Sequence, residues 1–159
     1  MIAVVQRVSS ASVTVTDECL GRIGRGLVAL VGARKGDDAE DARLLADKLA
    51  GLRIFEDAGG RMNSSALDLG VEILVISQFT LLADLKKGRR PGFDRAEDPD
   101  RARALLDQFV RVLEGQGLTV EQGRFGAEMS VQLVNHGPAT FILDTDLWRP
   151  RSRRDDTSH

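Results

Sequence analysis

Apolar and polar residues alternate through residues 2–16, with Val13 and Val15 set against Ser12, Thr14 and Thr16. That period of two predicts a half-buried strand. Gly21 and Gly24 punctuate a hairpin, and the unbroken apolar run over 27–31 predicts a buried strand. The period then changes. Ala42, Leu45, Ala46 and Leu49 keep the i, i+3, i+4, i+7 spacing of a helix face, with Asp37 or Asp38 placed to cap its start. Gly59-Gly60 marks a turn, and a second apolar run over 71–76 leads into a polar loop containing Gly88, Pro91 and Gly92. A second helix is predicted from Asp98 as N-cap and Pro99 at the first helical position. Its apolar face carries Ala102, Leu105, Leu106, Phe109 and Leu113, and Gly115 or Gly117 ends it. Strand patterns return over 118–122, 129–135 and 140–144. The pattern predicts one mixed α/β domain, with strands at both ends and two strand–helix units between them.

Two segments of this pattern carry candidate chemistry. Asn135-His136-Gly137-Pro138-Ala139-Thr140 sets a Gly-Pro step between the last two strand patterns. Proline gives a ladder no N–H, so the step belongs at an edge, a bulge or a turn, and X-Pro is where a cis bond is cheap. Such a corner holds backbone carbonyls in a fixed direction; an ordinary hairpin turn is the plainer alternative. The 71–76 strand ends in Ser77-Gln78-Phe79-Thr80. Hydroxyl and amide side chains at the end of a buried strand are placed to line a pocket, and backbone N–H groups there are free to act as donors.

Composition narrows the chemistry. A chain of 159 residues suits a single domain that buries roughly two-thirds of its unfolded surface. Its net charge of −2 argues against a protein that coats duplex nucleic acid, but not against one that grips a single RNA end. Charge is locally uneven: Lys86, Lys87, Arg89, Arg90 and Arg95 cluster just after the Ser-Gln-Phe-Thr segment, either as a solvated loop or as a phosphate contact. No apolar run approaches the ~20 residues of a membrane span, and the chain opens directly on a strand pattern, so a cytoplasmic location is expected. The single cysteine, Cys19, permits no internal disulfide and agrees with a reducing compartment. There are two histidines, His136 and His159, and no tyrosine. No H-E-x-x-H, C-x-x-C or G-x-S-x-G motif occurs, and Ser77 has no evident base and acid, so neither a metal nor a cofactor is expected.

Several further segments occur in order along the chain. Val5-Gln6-Arg7-Val8 precedes Ala11-Ser12-Val13, then Arg53-Ile54-Phe55-Glu56-Asp57 with Met62-Asn63. Lys87-Gly88-Arg89-Arg90-Pro91 and Gly123-Arg124-Phe125-Gly126-Ala127 follow. Together with Ser-Gln-Phe-Thr and Asn-x-Gly-Pro-x-Thr they make the chain similar to the D-aminoacyl-tRNA deacylases. The resemblance implies a mixed β-sheet curled into a barrel with two helices on one side, working as a homodimer. It implies hydrolysis of the ester joining a D-amino acid, or glycine, to the 3′-terminal adenosine of tRNA, a chiral proofreading step in translation. Ser77, Gln78, Phe79 and Thr80 would form the catalytic segment. Water would attack, helped by the substrate's 2′-hydroxyl and positioned by Thr80. A cis Gly137-Pro138 corner would reach across the dimer to read the chiral centre, with Asn135 and Met129 beside it and Gln6 and Arg7 as supports. Lys86, Lys87, Arg89 and Arg90 would contact tRNA. His136 stands where this family usually has aspartate. The deacylase domain is expected over 1–148, with a basic, disordered tail over 149–159. The alternatives are a related deacylase that removes misattached L- or achiral amino acids, and a non-catalytic nucleic-acid-binding or scaffold protein on the same fold.

Overall fold

In the computed structural model, which describes residues 1–149, the first strand organises everything else. β1 (Ile2–Val15) is long enough to serve two neighbours in succession along one side. Its first half pairs antiparallel with β3 (Gly26–Gly32), from Ile2 opposite Gly32 to Val8 opposite Gly26. Its second half pairs with β2 (Glu18–Ile23), from Ala11 opposite Ile23 to Val15 opposite Glu18. Its other side pairs along nearly its whole length with β8 (Ser130–Asp144).

β3 feeds α1 (Ala39–Gly51), the short hairpin β4 (Phe55–Glu56) and β5 (Met62–Ser64), and the one-turn α2 (Ala66–Leu69). The chain returns as β6 (Glu72–Ser77), parallel to β3. A second crossover through α3 (Pro99–Gly115) brings back β7 (Val120–Gln122), parallel to β6. Parallel neighbours need such crossovers, whereas β1 reaches β2 and β3 by short turns, and that makes the sheet mixed. Its order is β2-β1-β3-β6-β7, with β8 on the far side of β1. The sheet curls until it is nearly closed into a barrel. A Cβ added at Gly21 of β2 would lie 3.2 Å from the Glu121 Cβ of β7, so glycine there lets the two ends approach.

Strand periodicity divides the core between the two faces of this sheet. Leu27, Ala29 and Val31 of β3 and Ile73 and Val75 of β6 face Leu45 and Leu49 of α1 and Phe109 and Leu113 of α3. Val28, Leu74 and Ile76 point the other way, into a second cluster with Val8, Val13, Met129 and Leu133. The apolar runs at β3 and β6 therefore mark strands covered on both sides.

Both predicted helices form, with details that tertiary contacts decide. Asp38 rather than Asp37 caps α1, in a reciprocal capping box with Asp41. Asp37 instead accepts the Arg34 amide at 2.6 Å and pairs with the Met1 ammonium at 2.8 Å. Asp98 occupies the N-cap position of α3 with Pro99 just inside, but its side chain makes no capping bond.

The structure corrects three expectations. Among the described residues there are three α-helices rather than two: α2 is a single turn closed by a Ser65–Asp68 capping box, too short to show a period. The loop after β6 opens with a 3₁₀ turn at Phe79–Leu82. The two last strand patterns are one strand, β8, because both halves pair with the same side of β1. Arg149, first residue of the expected tail, is fixed by Asp41 at 2.7 Å and Asp38 at 3.0 Å; the rest of that tail lies outside the described residues. No described helix is long and apolar enough to cross a membrane.

Candidate active site

β6 delivers the Ser-Gln-Phe-Thr segment to the open end of the sheet. Ser77 is its last residue, opposite Val31 of β3, and the Gln78 amide donates to the Val31 carbonyl at 2.8 Å. The chain then tightens into the 3₁₀ turn, pinned by buried Leu82. The turn fits because Gly32 has no side chain: a Cβ there would lie 2.5 Å from Leu82 Cδ2 and 2.9 Å from the Gln78 carbonyl oxygen. Within the turn Leu81 donates to Gln78 and Ala83 to Thr80. The amides of Phe79 and Thr80 open the turn, and no acceptor takes them among the described residues. The Gln78 side-chain amide donates to the Thr80 hydroxyl, holding it in place. Phe79 is 59% exposed and meets Phe93 edge-on, ring centroids 5.0 Å apart.

This segment borders a cavity of ≈ 430 Å³. Ser77, Gln78 and Phe79 form one side, Met129 and Val131 another, and Ala102 and Leu106 of α3 with Phe125 a third. The lining is mostly apolar, with Glu97 as an exception. The Glu97 carboxylate accepts the Asp98 amide at 2.9 Å and stands 3.8 Å from Arg101. A second cavity of ≈ 300 Å³ lies behind Phe125 and Leu106, bordered by Arg103 and Arg124.

The Gly-Pro step forms a bulge in β8. Gln6 pairs with Thr140 and Val8 with Asn135, so His136, Gly137, Pro138 and Ala139 all stand opposite Arg7 alone. The Gly137–Pro138 bond is cis. Buried Arg7 holds the bulge: its Nε donates to the His136 carbonyl at 2.8 Å and its guanidinium to the Ile54 carbonyl at 2.6 Å. Asn135 Nδ2 reaches the carbonyls of Arg7 at 3.3 Å and Ala139 at 3.4 Å, and Gln6 donates to the Thr140 hydroxyl at 3.1 Å. His136 contributes its carbonyl, and its exposed ring takes no part in these bonds.

The predicted residues thus fall into three places. Ser77, Gln78, Phe79 and Met129 line the cavity, and Thr80 sits on the same turn, exposed. Asn135, Gly137 and Pro138 belong to the β8 bulge and do not line this cavity. Lys86, Lys87, Arg89 and Arg90 occupy an exposed loop closed by paired hydrogen bonds between Asp84 and Gly92, at 2.7 and 3.0 Å. Phe93 joins the base of that loop to Phe79. Sequence reasoning assigned no role to Glu97, Arg103 or Phe125. Glu97 reads as part of an acidic helix start, and the Arg103 stack on Phe125, at 5.1 Å, joins residues far apart in the chain. Among the described residues no group of three His, Cys, Asp or Glu is arranged to hold a metal.

Free amides beside a fixed hydroxyl, at an apolar cavity, suit the negative charge that develops on a carbonyl oxygen during acyl transfer. Similarity to known proteins agrees with that class. The family model described as D-Tyr-tRNA(Tyr) deacylase matches residues 4–144. A D-aminoacyl-tRNA deacylase of Roseiflexus sp. (strain RS-1) is 55% identical over 154 residues, 96% of this chain and 99% of that protein. One from Bacillus licheniformis is 54% identical over 145 residues, 91% of this chain and 99% of that protein. Among solved structures, a c-Myc DNA unwinding element binding protein superposes with a TM-score of 0.85 at 38% identity, covering 91% of this chain and 98% of that one. A probable eukaryotic D-amino acid tRNA deacylase shares the fold, with a TM-score of 0.78 at 19% identity over 89% of this chain and 97% of its own. The chain belongs to the D-Tyr-tRNA(Tyr) deacylase family, a family of D-aminoacyl-tRNA deacylases.

Proposed function

We propose that this chain is a D-aminoacyl-tRNA deacylase acting in the cytoplasm, which hydrolyses the ester of D-aminoacyl-tRNA and glycyl-tRNA and spares L-aminoacyl-tRNA. The observation that carries the mechanism is the pair of free amides at Phe79 and Thr80 beside the Gln78-held hydroxyl of Thr80. Water attacks the ester carbonyl carbon, and the C=O electrons move onto oxygen, where the two amides receive the charge. Each well-aimed donor lowers such a barrier by about 2.7–4 kcal/mol. Thr80 orients the water. The adduct then collapses: the C=O bond re-forms, the bond from carbon to the 3′-oxygen breaks, and one water proton passes by way of the terminal 2′-hydroxyl to that oxygen, leaving the free amino acid and the 3′-hydroxyl of tRNA. An ester of this kind is already activated, so orientation and charge stabilisation suffice without a side-chain nucleophile. The basic loop at Lys86, Lys87, Arg89 and Arg90 contacts phosphates of the incoming tRNA end.

Chiral selection, in this reading, belongs to a homodimer. β8 is 15 residues long and pairs only with β1 among the described strands. It exposes Val134 (56%) and Ile142 (70%), a combination that favours covering by a second copy. The exposed bulge of one protomer then enters the other's cavity. There the Gly137 and Pro138 carbonyls accept hydrogen bonds from the substrate's α-amino group, and the backbone excludes an L side chain.

Mixing two inactive variants tests this exchange. Thr80→Pro removes an amide donor, and Gly137→Val forces the bulge, where even a Cβ would lie 2.8 Å from the backbone nitrogen of Ala139. Random mixing should restore about a quarter of wild-type activity, since half the dimers are mixed and each holds one intact site of two. No restoration would place both segments in one protomer's site and overturn the exchange. The relative named for DNA unwinding element binding favours a second reading, nucleic-acid binding without catalysis. That reading requires steeply salt-dependent binding and no deacylation.

A further inference from the structure

The ≈ 300 Å³ cavity shares Ser77, Leu106 and Phe125 with the larger one, so only a wall of side chains separates them. Beyond Val75 and Gly123 its remaining lining is polar, with Gln122 and two arginines against a single carboxylate, Asp107. The Arg103 guanidinium lies 5.1 Å from the centroid of the Phe125 ring, an arrangement that orients a cation and leaves its N–H fork open. No carboxylate lies within ion-pair distance of Arg103 among the described residues. Arg124 pairs with Glu18 at 3.3 Å, but both side chains are more than half exposed (53% and 67%). A surface pair of that kind is worth little and is readily exchanged for a better anion.

We propose that Arg103 and Arg124 form a phosphodiester site reading the phosphate on the 5′ side of the terminal nucleoside. The inference rests on the deacylase reading for its ligand. The reacting ester sits on the 3′-oxygen of the terminal ribose, beside Phe79 and Thr80, and the last backbone phosphate is carried on the 5′ carbon of that same sugar. The cavity with the two arginines shares Ser77 and Phe125 with the one beside the turn, so a ribose held at the turn can present its 5′-phosphate to it. Arginine forks match phosphate oxygens two at a time, which gives register as well as affinity. The site would fix where the terminal nucleoside stops, so that the ester carbonyl meets the turn. The loop at Lys86 to Arg90 is left to act on the more distant backbone.

Non-hydrolysable 3′-(D-aminoacylamido)adenosine, with and without a 5′-phosphate, tests this by calorimetry at two salt concentrations. The phosphate should tighten binding about tenfold to the wild-type dimer, the effect of one charge-assisted contact. That gain should fall at high salt and disappear in Arg103→Gln with Arg124→Gln, while Lys87→Gln retains it. No gain in the wild type, or an equal gain in the double variant, would overturn the site. A phosphate gain that depends on both arginines in a protein unable to cleave D-aminoacyl-tRNA would leave the site standing and refute the deacylase reading instead.

Discussion

Replacing Arg7 by lysine separates positioning from mere packing at the β8 bulge. The side chain is 3% exposed and donates to two carbonyls on different elements, His136 at 2.8 Å and Ile54 at 2.6 Å. Lysine keeps the charge but puts its donors on one nitrogen in place of the separated Nε and Nη1, so it reaches one of the two carbonyls and leaves the other buried without a donor. A lost hydrogen bond from a charged donor costs about 1.5–3 kcal/mol, which for a domain of this size lowers the melting temperature by about 3–12 °C. Arg7→Met, which abandons both carbonyls, should cost about twice as much. Thermal unfolding at fixed protein concentration reads the stability term, because melting of the proposed dimer would depend on concentration. Deacylation at a temperature where every variant is folded reads the positioning term. Release of the His136 carbonyl should let the bulge shift, so the ratio of D to L hydrolysis should fall in Arg7→Lys. A variant less stable than wild type with an unchanged ratio would make Arg7 a structural clamp only. Wild-type stability and ratio together would refute the reasoning altogether.

Three further outcomes are expected. A Cβ at Gly123 would lie 2.5 Å from Met129 Sδ, a flexible end that yields, so Gly123→Ala should raise KM by crowding the cavity, and adding Met129→Ala should restore it. Activity should survive chelation of the separately stripped enzyme and alkylation of exposed Cys19; loss on chelation with recovery on adding zinc would reveal a missed ligand set. Burial pushes the Asp144 carboxyl up, but the Arg34 hydrogen bond at 2.6 Å, the Asp146 amide and the Arg34 charge outweigh it and hold it below its usual value. A depressed carboxylate contributes stability that is present above the unfolded value, about 3.9, and is lost as pH falls through the folded one. Asp144→Asn should therefore be less stable than wild type near neutrality, with the gap closing below about pH 4 in melts across pH.

Local pattern predicted what local physics controls. Helical spacing at Ala42–Leu49 and Ala102–Leu113 marked α1 and α3, and apolar runs marked the two strands that are covered on both faces. The Ser-Gln-Phe-Thr segment falls at the end of such a strand, as its polarity suggests, and the Gly-Pro step, which the missing N–H of proline restricts to an edge, a bulge or a turn, forms a bulge. What escaped depends on distant partners. Nothing near Pro138 signals that the ladder resumes beyond it, because the continuity of β8 is supplied by β1. The choice of Asp38 over Asp37 as cap follows from the Met1 ammonium, which claims Asp37 from elsewhere in the fold. Arg103 gains its meaning only from Phe125, which the α3 crossover brings alongside.

The most direct test of the account is the rate at which the purified protein hydrolyses D-aminoacyl-tRNA and its L counterpart on the same tRNA. A cavity beside a turn with free amides at Phe79 and Thr80, completed by the proposed backbone gate from a second copy, predicts rapid loss of the D-aminoacyl group. It also predicts cleavage of glycyl-tRNA, and an L-aminoacyl ester that decays no faster than in buffer. Equal hydrolysis of the D and L esters would contradict the gate, and no acceleration of the D ester over buffer would contradict the enzyme.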